Sequence, residues 1–364
     1  MEITTFGAVE SAIDPRQIKS TMLADKAEVL PDNAIIKFNF KPVDELFDQL
    51  RIGTCTACAT DMSAQEKFRD GQKLSFWWNY IMQKVFYDDP QHGFHFEGSS
   101  ALTALKTRHR YGCASADMDI KYPLNITGTY HEFWQSFLTL YQGIVPQEVI
   151  EDAAKRKIPG YAQITVDAVD IAKQISAGRT VIIRMSVGEN LYKDKNGKYS
   201  MKASDLLPLR APKRIDSGHL MVINEYNGLT IMQELSGPNS WGKRFCYDNK
   251  KNGAGYFNFI LETQLPFFTE AWVILDEAPK FKFTKTLREG MEDPEVVMLQ
   301  LRLEKGGFLD MPKNVKYGYF GRLTKEAVKL YQLKYADKIL KPAGLTKPTG
   351  VVAKYTIAQL NAEQ

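Results

Sequence analysis

Near Pro159 the hydrophobic pattern of the chain changes from helical to strand-like, and this change limits the possible folds more than any other feature of the sequence. Before it, apolar residues from Thr56 to Arg69, Lys73 to Phe86 and Ser99 to Tyr111 recur at the spacing of one helix face. After it come short β-branched runs separated by glycine and polar residues: Gly178 to Met185, Leu220 to Ile223, Leu229 to Met232 and Ala271 to Leu275. A chain divided in this way must bury helix faces against sheet faces. The expectation is an α+β fold of two layers, a helical half and an antiparallel β half, with a cleft between them.

Both ends of the chain stand apart from this body. Residues 1–43 carry Pro15, Pro31 and Pro42 and few helical signals, so they read as an extended arm. The two-layer domain is expected over 44–276, followed by a Pro- and Lys-containing linker over 277–286. The remainder, 287–364, contains an internal repeat in which Gly318 to Val328 lines up with Gly350 to Leu360. In each copy a glycine turn leads to a threonine, Thr324 or Thr356, expected to cap a helix. With the helix expected over Val296 to Leu303, this makes a small three-helix domain.

A length of 364 residues accommodates two cores, and the composition, 44% hydrophobic and 25% charged, is that of a globular protein. The net charge of +4 is spread through the sequence and does not argue for nucleic acid; Lys280, Lys282 and Lys285 alternate with Phe281 and Phe283 and read as linker. The first residues lack a cationic start followed by an apolar run, and no stretch approaches the roughly 20 apolar residues of a membrane span, so neither a secretory signal nor a membrane partner is expected. The four cysteines are too few for a disulfide scaffold in a chain of this size, and reduced thiols are expected. His92 and His95 lack a supporting set of ligands, so no zinc site and no cofactor are expected.

Thiol-based acyl transfer needs a thiolate, an imidazole beside it, a group that orients the imidazole and donors for the oxyanion. These need not be close in sequence. The segment Asp48-Gln-Leu-Arg-Ile-Gly-Thr-Cys55-Thr-Ala-Cys58 supplies thiols, Ser217-Gly-His219 an imidazole leading into a strand, and Pro238-Asn239-Ser-Trp-Gly242 an amide. Together these segments resemble the papain family of cysteine peptidases, and in particular bacterial and phage members whose nucleophile segment reads Asp-Gln-Gly-x-x-Gly-Ser-Cys-Thr-Ala. Gly255-Tyr256-Phe257 resembles the family's closing Gly-Tyr strand.

The resemblance decides between the two cysteines. The family's oxyanion glutamine lies six residues before its nucleophile, which is Gln49 counted from Cys55 but Ile52 counted from Cys58. Cys55 is therefore the expected nucleophile, with a thiol pKa lowered by the helix N-terminus and His219, and Cys58 a small core residue. The resemblance implies His219 as base, Asn239 as its orienting amide and Trp241 as the ring that shields their bond from water. It further implies Gly98, Ser99, Gly218 and Trp241 as substrate-binding residues, with Gly98 and Ser99 as contacts for substrate backbone, and it extends to the opening segment Gly7 to Arg16, read as a structural clamp. The sequence departs from the pattern at Leu50, where the family has glycine after the glutamine, at Thr56, and at Phe245-Cys246, where a second Trp-Gly is usual. These departures bear on substrate preference.

The C-terminal segment resembles the peptidoglycan-binding domain of bacterial and phage cell-wall hydrolases, through Glu295 to Leu303, Gly318 to Val328 and Tyr331-Gln332. Val296, Leu299, Leu303, Phe320, Val328 and Leu360 are expected to form its core; Tyr317, Tyr319 and Arg322 are the candidates for glycan contact. The expected function is hydrolysis of polypeptide, at a bacterial cell wall or on a phage particle, with cell-wall glycan or virion proteins as partners. Cleavage of peptidoglycan crosslink peptides is one alternative. A non-catalytic virion or adhesin protein that keeps the fold as scaffold is another.

Overall fold

The computed structural model describes residues 8–11, 35–37, 46–68, 71–87, 96–187, 217–228, 233–250, 252–277, 281–312, 315 and 317–363. His92, His95, the 229–232 run and most of the expected arm lie outside them. The chain divides into two compact units, with described residues 8–277 in the first and 281–363 in the second. Among the described residues no helix is long and apolar enough to cross a membrane.

In the first unit, β1 (Ala8–Val9) and β2 (Ile35–Lys37) precede α1 (Cys55–Gln65), α2 (Phe76–Phe86), β3 (Ser99–Ser100), α3 (Ala101–Arg110), α4 (Asp117–Lys121), α5 (Tyr130–Tyr141) and α6 (Gln147–Ala154). The sheet half follows: β4 (Tyr161–Ile164), α7 (Ala168–Ser176), β5 (Val181–Val187), β6 (Ser217–Ile223), β7 (Glu225–Asn227), β8 (Glu234–Pro238), β9 (Tyr256–Ile260), α8 (Leu261–Gln264) and β10 (Phe268–Ile274). Two four-stranded antiparallel sheets result, ordered β4-β10-β5-β6 and β2-β7-β8-β9. The expected α+β architecture is the one observed.

Helix α1 is the centre of the helical half. Every residue in it except Gln65 is buried, although its sequence is mostly Ala, Cys, Thr and Ser. Small side chains let it lie close to α2, α3 and β6 at once. Its polar groups are satisfied locally: Thr60 Oγ1 donates to Thr56 O at 2.7 Å, and Asp61 accepts from Arg108 Nε and Asn79 Nδ2, each at 2.8 Å. Arg108 also donates to Gln83 Oε1, and Gln83 Nε2 donates to Thr56 Oγ1. Burial pushes the Asp61 carboxyl upward in pKa, and the adjacent guanidinium opposes that shift. The ends of α2, α3 and α5 follow from side-chain caps by Ser75, Ser100 and the Thr129–Glu132 capping box.

The second unit contains α9 (Pro294–Lys305), α10 (Arg322–Lys334), the one-turn α11 (Ala336–Ile339) and α12 (Lys354–Ala362). All six expected core residues are buried. Phe281 and Phe283 join the same core, so this part of the segment expected as linker belongs to the unit; two phenylalanines two residues apart bury more apolar surface than a solvated linker could expose cheaply.

The threonine caps expected at Thr324 and Thr356 do not occur. Each lies inside its helix, buried, and α10 and α12 begin after Gly321 and Ala353 without a side-chain cap. The threonines instead serve two equivalent glutamine hubs. Gln300 Nε2 donates to Thr324 Oγ1 and Tyr319 O while its Oε1 accepts from Gly318 N. Gln332 makes the corresponding bonds to Thr356 Oγ1, Val351 O and Gly350 N. The repeat visible in the sequence is therefore a repeat of buried hydrogen bonding.

Candidate active site

The segment from Phe47 to Cys55 is bound along its length to the segment that carries Asn239. Gln49 N donates to Ser240 O at 2.8 Å, Gly242 N donates to Phe47 O at 3.1 Å, and Asp48 and Trp241 form an isolated bridge. Between them Ser240 Oγ donates to Gln49 Oε1 at 2.5 Å. That bond sets the amide orientation, turning the two N–H groups of Gln49 away from Ser240; Nε2 lies 3.2 Å from Ile52 O. Ser240 was not singled out from the sequence, though it lies within the Asn-Ser-Trp-Gly tetrapeptide.

After Gln49 the chain turns through Leu50, whose φ of +53° is left-handed, and reaches Cys55, the first residue of α1. The helix packs on β6, which holds His219 as its third residue opposite Met185. Asn239, just beyond β8, completes the arrangement: its Oδ1 accepts from His219 Nε2 at 2.8 Å and from Ser240 N at 2.8 Å. The second bond confirms which amide atom is the oxygen, because a backbone N–H can only donate. Trp241 stacks on the imidazole, with ring centroids 4.7 Å apart and planes 21° apart, and Phe245 meets Trp241 edge-on.

Cys55, His219 and Asn239 are all fully buried. Burial favours the uncharged imidazole and lowers the His219 pKa to about 4, against the weaker upward pull of Asn239. None of the four cysteines is in a disulfide. Burial pushes the Cys58 thiol well up, and its Sγ sits 3.7 Å from Thr54 Oγ1; a thiol held protonated in this way is a poor nucleophile.

The wall formed by Gly98 and Ser99 is bound both to the interior and to the start of the chain. Gly98 N donates to Tyr80 OH at 2.9 Å and Gly98 O accepts from Lys84 Nζ at 2.8 Å, so both of its backbone groups are engaged within the unit. Backbone pairing along this wall falls to Ser99 and Ser100, which pair in parallel with Ala8 and Val9. Ala8 O accepts from Arg184 Nε at 3.3 Å, Ser11 N donates to Glu270 Oε1 at 2.7 Å, and Ser11 Oγ accepts from Leu102 N at 3.2 Å. Gly218, next to His219, has no room for a side chain: a Cβ there would stand 2.2 Å from Ala8 O. The described part of the opening segment, Ala8 to Ser11, thus lies along the candidate substrate wall, and the rest of the expected clamp lies outside the described residues.

The candidate glycan residues are in the second unit. Tyr317 is half-buried with its hydroxyl on Glu304 at 2.6 Å, whereas Tyr319 and Arg322 are exposed beside the start of α10.

Among solved structures, the chain is similar to xylellain, a cysteine protease from Xylella fastidiosa, with 20% identity over 75% of this chain and 96% of that one and a TM-score of 0.56. Procathepsin B S9 from Trypanosoma congolense matches with 12% identity over 73% of this chain and 85% of that one, TM-score 0.49. The bromelain protease from Ananas comosus matches with 15% identity over 67% and 98%, TM-score 0.41. No protein-family model matches the sequence, and no curated protein does. The first unit has the papain-like fold.

Proposed function

We propose that this chain is a cysteine peptidase in which Cys55 is the nucleophile, His219 the base, Asn239 its orienting partner and Gln49 an oxyanion donor. The observation that carries the reading is the 2.8 Å contact between His219 Nε2 and Asn239 Oδ1 beneath Trp241. Because Oδ1 accepts, Nε2 carries the proton of the neutral ring, and the basic lone pair is on Nδ1.

The chemistry follows from those roles. Nδ1 takes the Cys55 proton and the thiolate attacks the peptide carbonyl carbon. The Cys55 backbone N–H and Gln49 Nε2 donate to the resulting oxyanion. As the tetrahedral intermediate collapses, the C–N bond breaks and the imidazolium gives its proton to the departing amine. Water, deprotonated by the same nitrogen, then attacks the thioester, releasing the acid and restoring the thiol.

The second unit supports a finer reading, delivery of this activity to a bacterial cell wall or a phage particle, through the resemblance of its repeat to peptidoglycan-binding domains and the exposure of Tyr319 and Arg322. On that reading peptidoglycan crosslink peptides are the second candidate substrate. The test compares the wild type with Cys55→Ala on a denatured protein and on purified sacculi. Proteolysis lost in the variant supports the peptidase, release of muropeptides supports the wall reading, and proteolysis retained by Cys55→Ala refutes the assignment.

A further inference from the structure

Two segments that must cooperate in the proposed reaction, the loop before Cys55 and the wall at Gly98–Ser99, are joined by one side chain. Glu97 Oε1 accepts from Gly53 N at 2.5 Å, across 44 residues of sequence. Gly53 is buried, two residues before Cys55 and four after Gln49. Its amide therefore depends on a protein acceptor, and a carboxylate is a stronger one than a neutral oxygen.

The end of the clamp opposite Gly53 is rigid. Lys84, itself buried, donates to Phe96 O at 2.9 Å and Gly98 O at 2.8 Å; Tyr130 OH donates to Phe96 O at 2.8 Å; and Tyr80 OH accepts from Gly98 N. Glu97 thus projects from a backbone held on both sides, and its carboxylate fixes where the Gly53–Cys55 turn stands relative to the wall. The other side of the turn is held by Ser240 through Gln49.

We infer that Glu97 is a positioning residue for the proposed peptidase reaction: by holding the Gly53 amide, it sets the thiol and the oxyanion donors at a fixed distance from the strand that aligns the peptide. This rests on the peptidase reading. Loss of the clamp leaves the buried amide without its acceptor and lets the turn move against the wall. Displacement of about 1 Å between reacting groups is enough to cost a large rate factor. The loss falls mainly on kcat, because the wall itself stays anchored by Lys84 and Tyr80.

The experiment compares wild type, E97A and E97Q, reading kcat and KM on a fluorogenic peptide, the hydrogen exchange of the Gly53 amide by NMR, and the thermal midpoint. Expected are a ten- to hundredfold lower kcat and faster Gly53 exchange in E97A, with KM changed less than threefold, and recovery of most of the rate in E97Q, which keeps an acceptor oxygen. Unchanged kcat in a folded E97A, or a kcat loss with Gly53 exchange as slow as in wild type, overturns the inference and leaves the peptidase reading standing. A wild type inactive on peptide overturns both. If E97A does not fold, E97D, whose shorter side chain withdraws the acceptor from Gly53, decides: faster Gly53 exchange together with lower kcat supports the inference, and either change without the other overturns it.

Discussion

On the proposed peptidase reading, removing residues 1–11 should make the chain bind substrate more tightly. Strand β1 pairs with the same β3 wall that an extended peptide would need, and Ala8 lies against Gly218 beside His219. On that reading a substrate displaces it. Two of the contacts to be broken involve charged side chains, Arg184 to Ala8 O and Ser11 N to Glu270. At roughly 1.5 kcal/mol each they amount to about 3 kcal/mol, on the order of a hundredfold in an equilibrium. Ordering the four residues Ala8 to Ser11 offsets part of that. Since apparent affinity scales with the fraction of molecules whose wall is open, deletion should lower KM for an extended peptide by about ten- to a hundredfold with little change in kcat. Steady-state kinetics on a fluorogenic peptide, for the full chain and the chain starting at residue 12, measures this. A KM unchanged within twofold in a folded deletion variant would show that β1 does not compete with substrate.

Alkylation by iodoacetamide should mark Cys55 and spare Cys58, and Cys58→Ala should keep activity within a few-fold; mass-spectrometric mapping and kinetics check both. Asn239→Ala frees the His219 ring to rotate and should lower kcat by about 100-fold, the low end of the roughly 10²–10⁴-fold that a positioned general base contributes, with the fold retained by circular dichroism. Folding stability should fall as pH drops from 6.5 toward 4: unfolded His219 binds a proton below about 6.5 and the buried ring only below about 4, so the unfolded state takes up more protons across that window. The loss is complete below pH 4, is absent above 6.5, and should reach about 3 kcal/mol; urea titrations of wild type and His219→Gln at pH 7 and pH 4 isolate it. Arg108→Met leaves Asp61 buried without its cation and should cost about 3 kcal/mol or more, measured by the same titration.

The two-layer α+β fold was legible because helical and strand periodicities lie in separate halves of the sequence, while its papain-like character and the candidate site were read from cysteine, histidine and Asn-Ser-Trp-Gly in a recognisable order. What stayed hidden depends on contacts between distant residues. Nothing near Glu97 announces that its carboxylate ends on Gly53, and nothing near Ser11 that its amide ends on Glu270. The threonine caps failed for a related reason: a threonine after a glycine turn suits a cap locally, but Gln300 and Gln332 draw Thr324 and Thr356 inside their helices. Two departures from the family pattern proved conservative in shape. Leu50 and Cys246, where the family pattern has glycine, take left-handed φ values of +53° and +46°, a conformation that costs a non-glycine residue roughly 1 kcal/mol and that surrounding contacts must hold.

The paired glutamine hubs of the second unit give its two repeat copies the same buried hydrogen bonding. Their outer positions differ: Tyr319 and Arg322 in the first copy correspond to Val351 and Lys354 in the second. An aromatic ring and a guanidinium offer stacking and bidentate hydrogen bonding that valine and lysine do not. The scaffold is twofold while its chemistry is lopsided, and a ligand that reads the surface would meet one distinctive face rather than two equal ones.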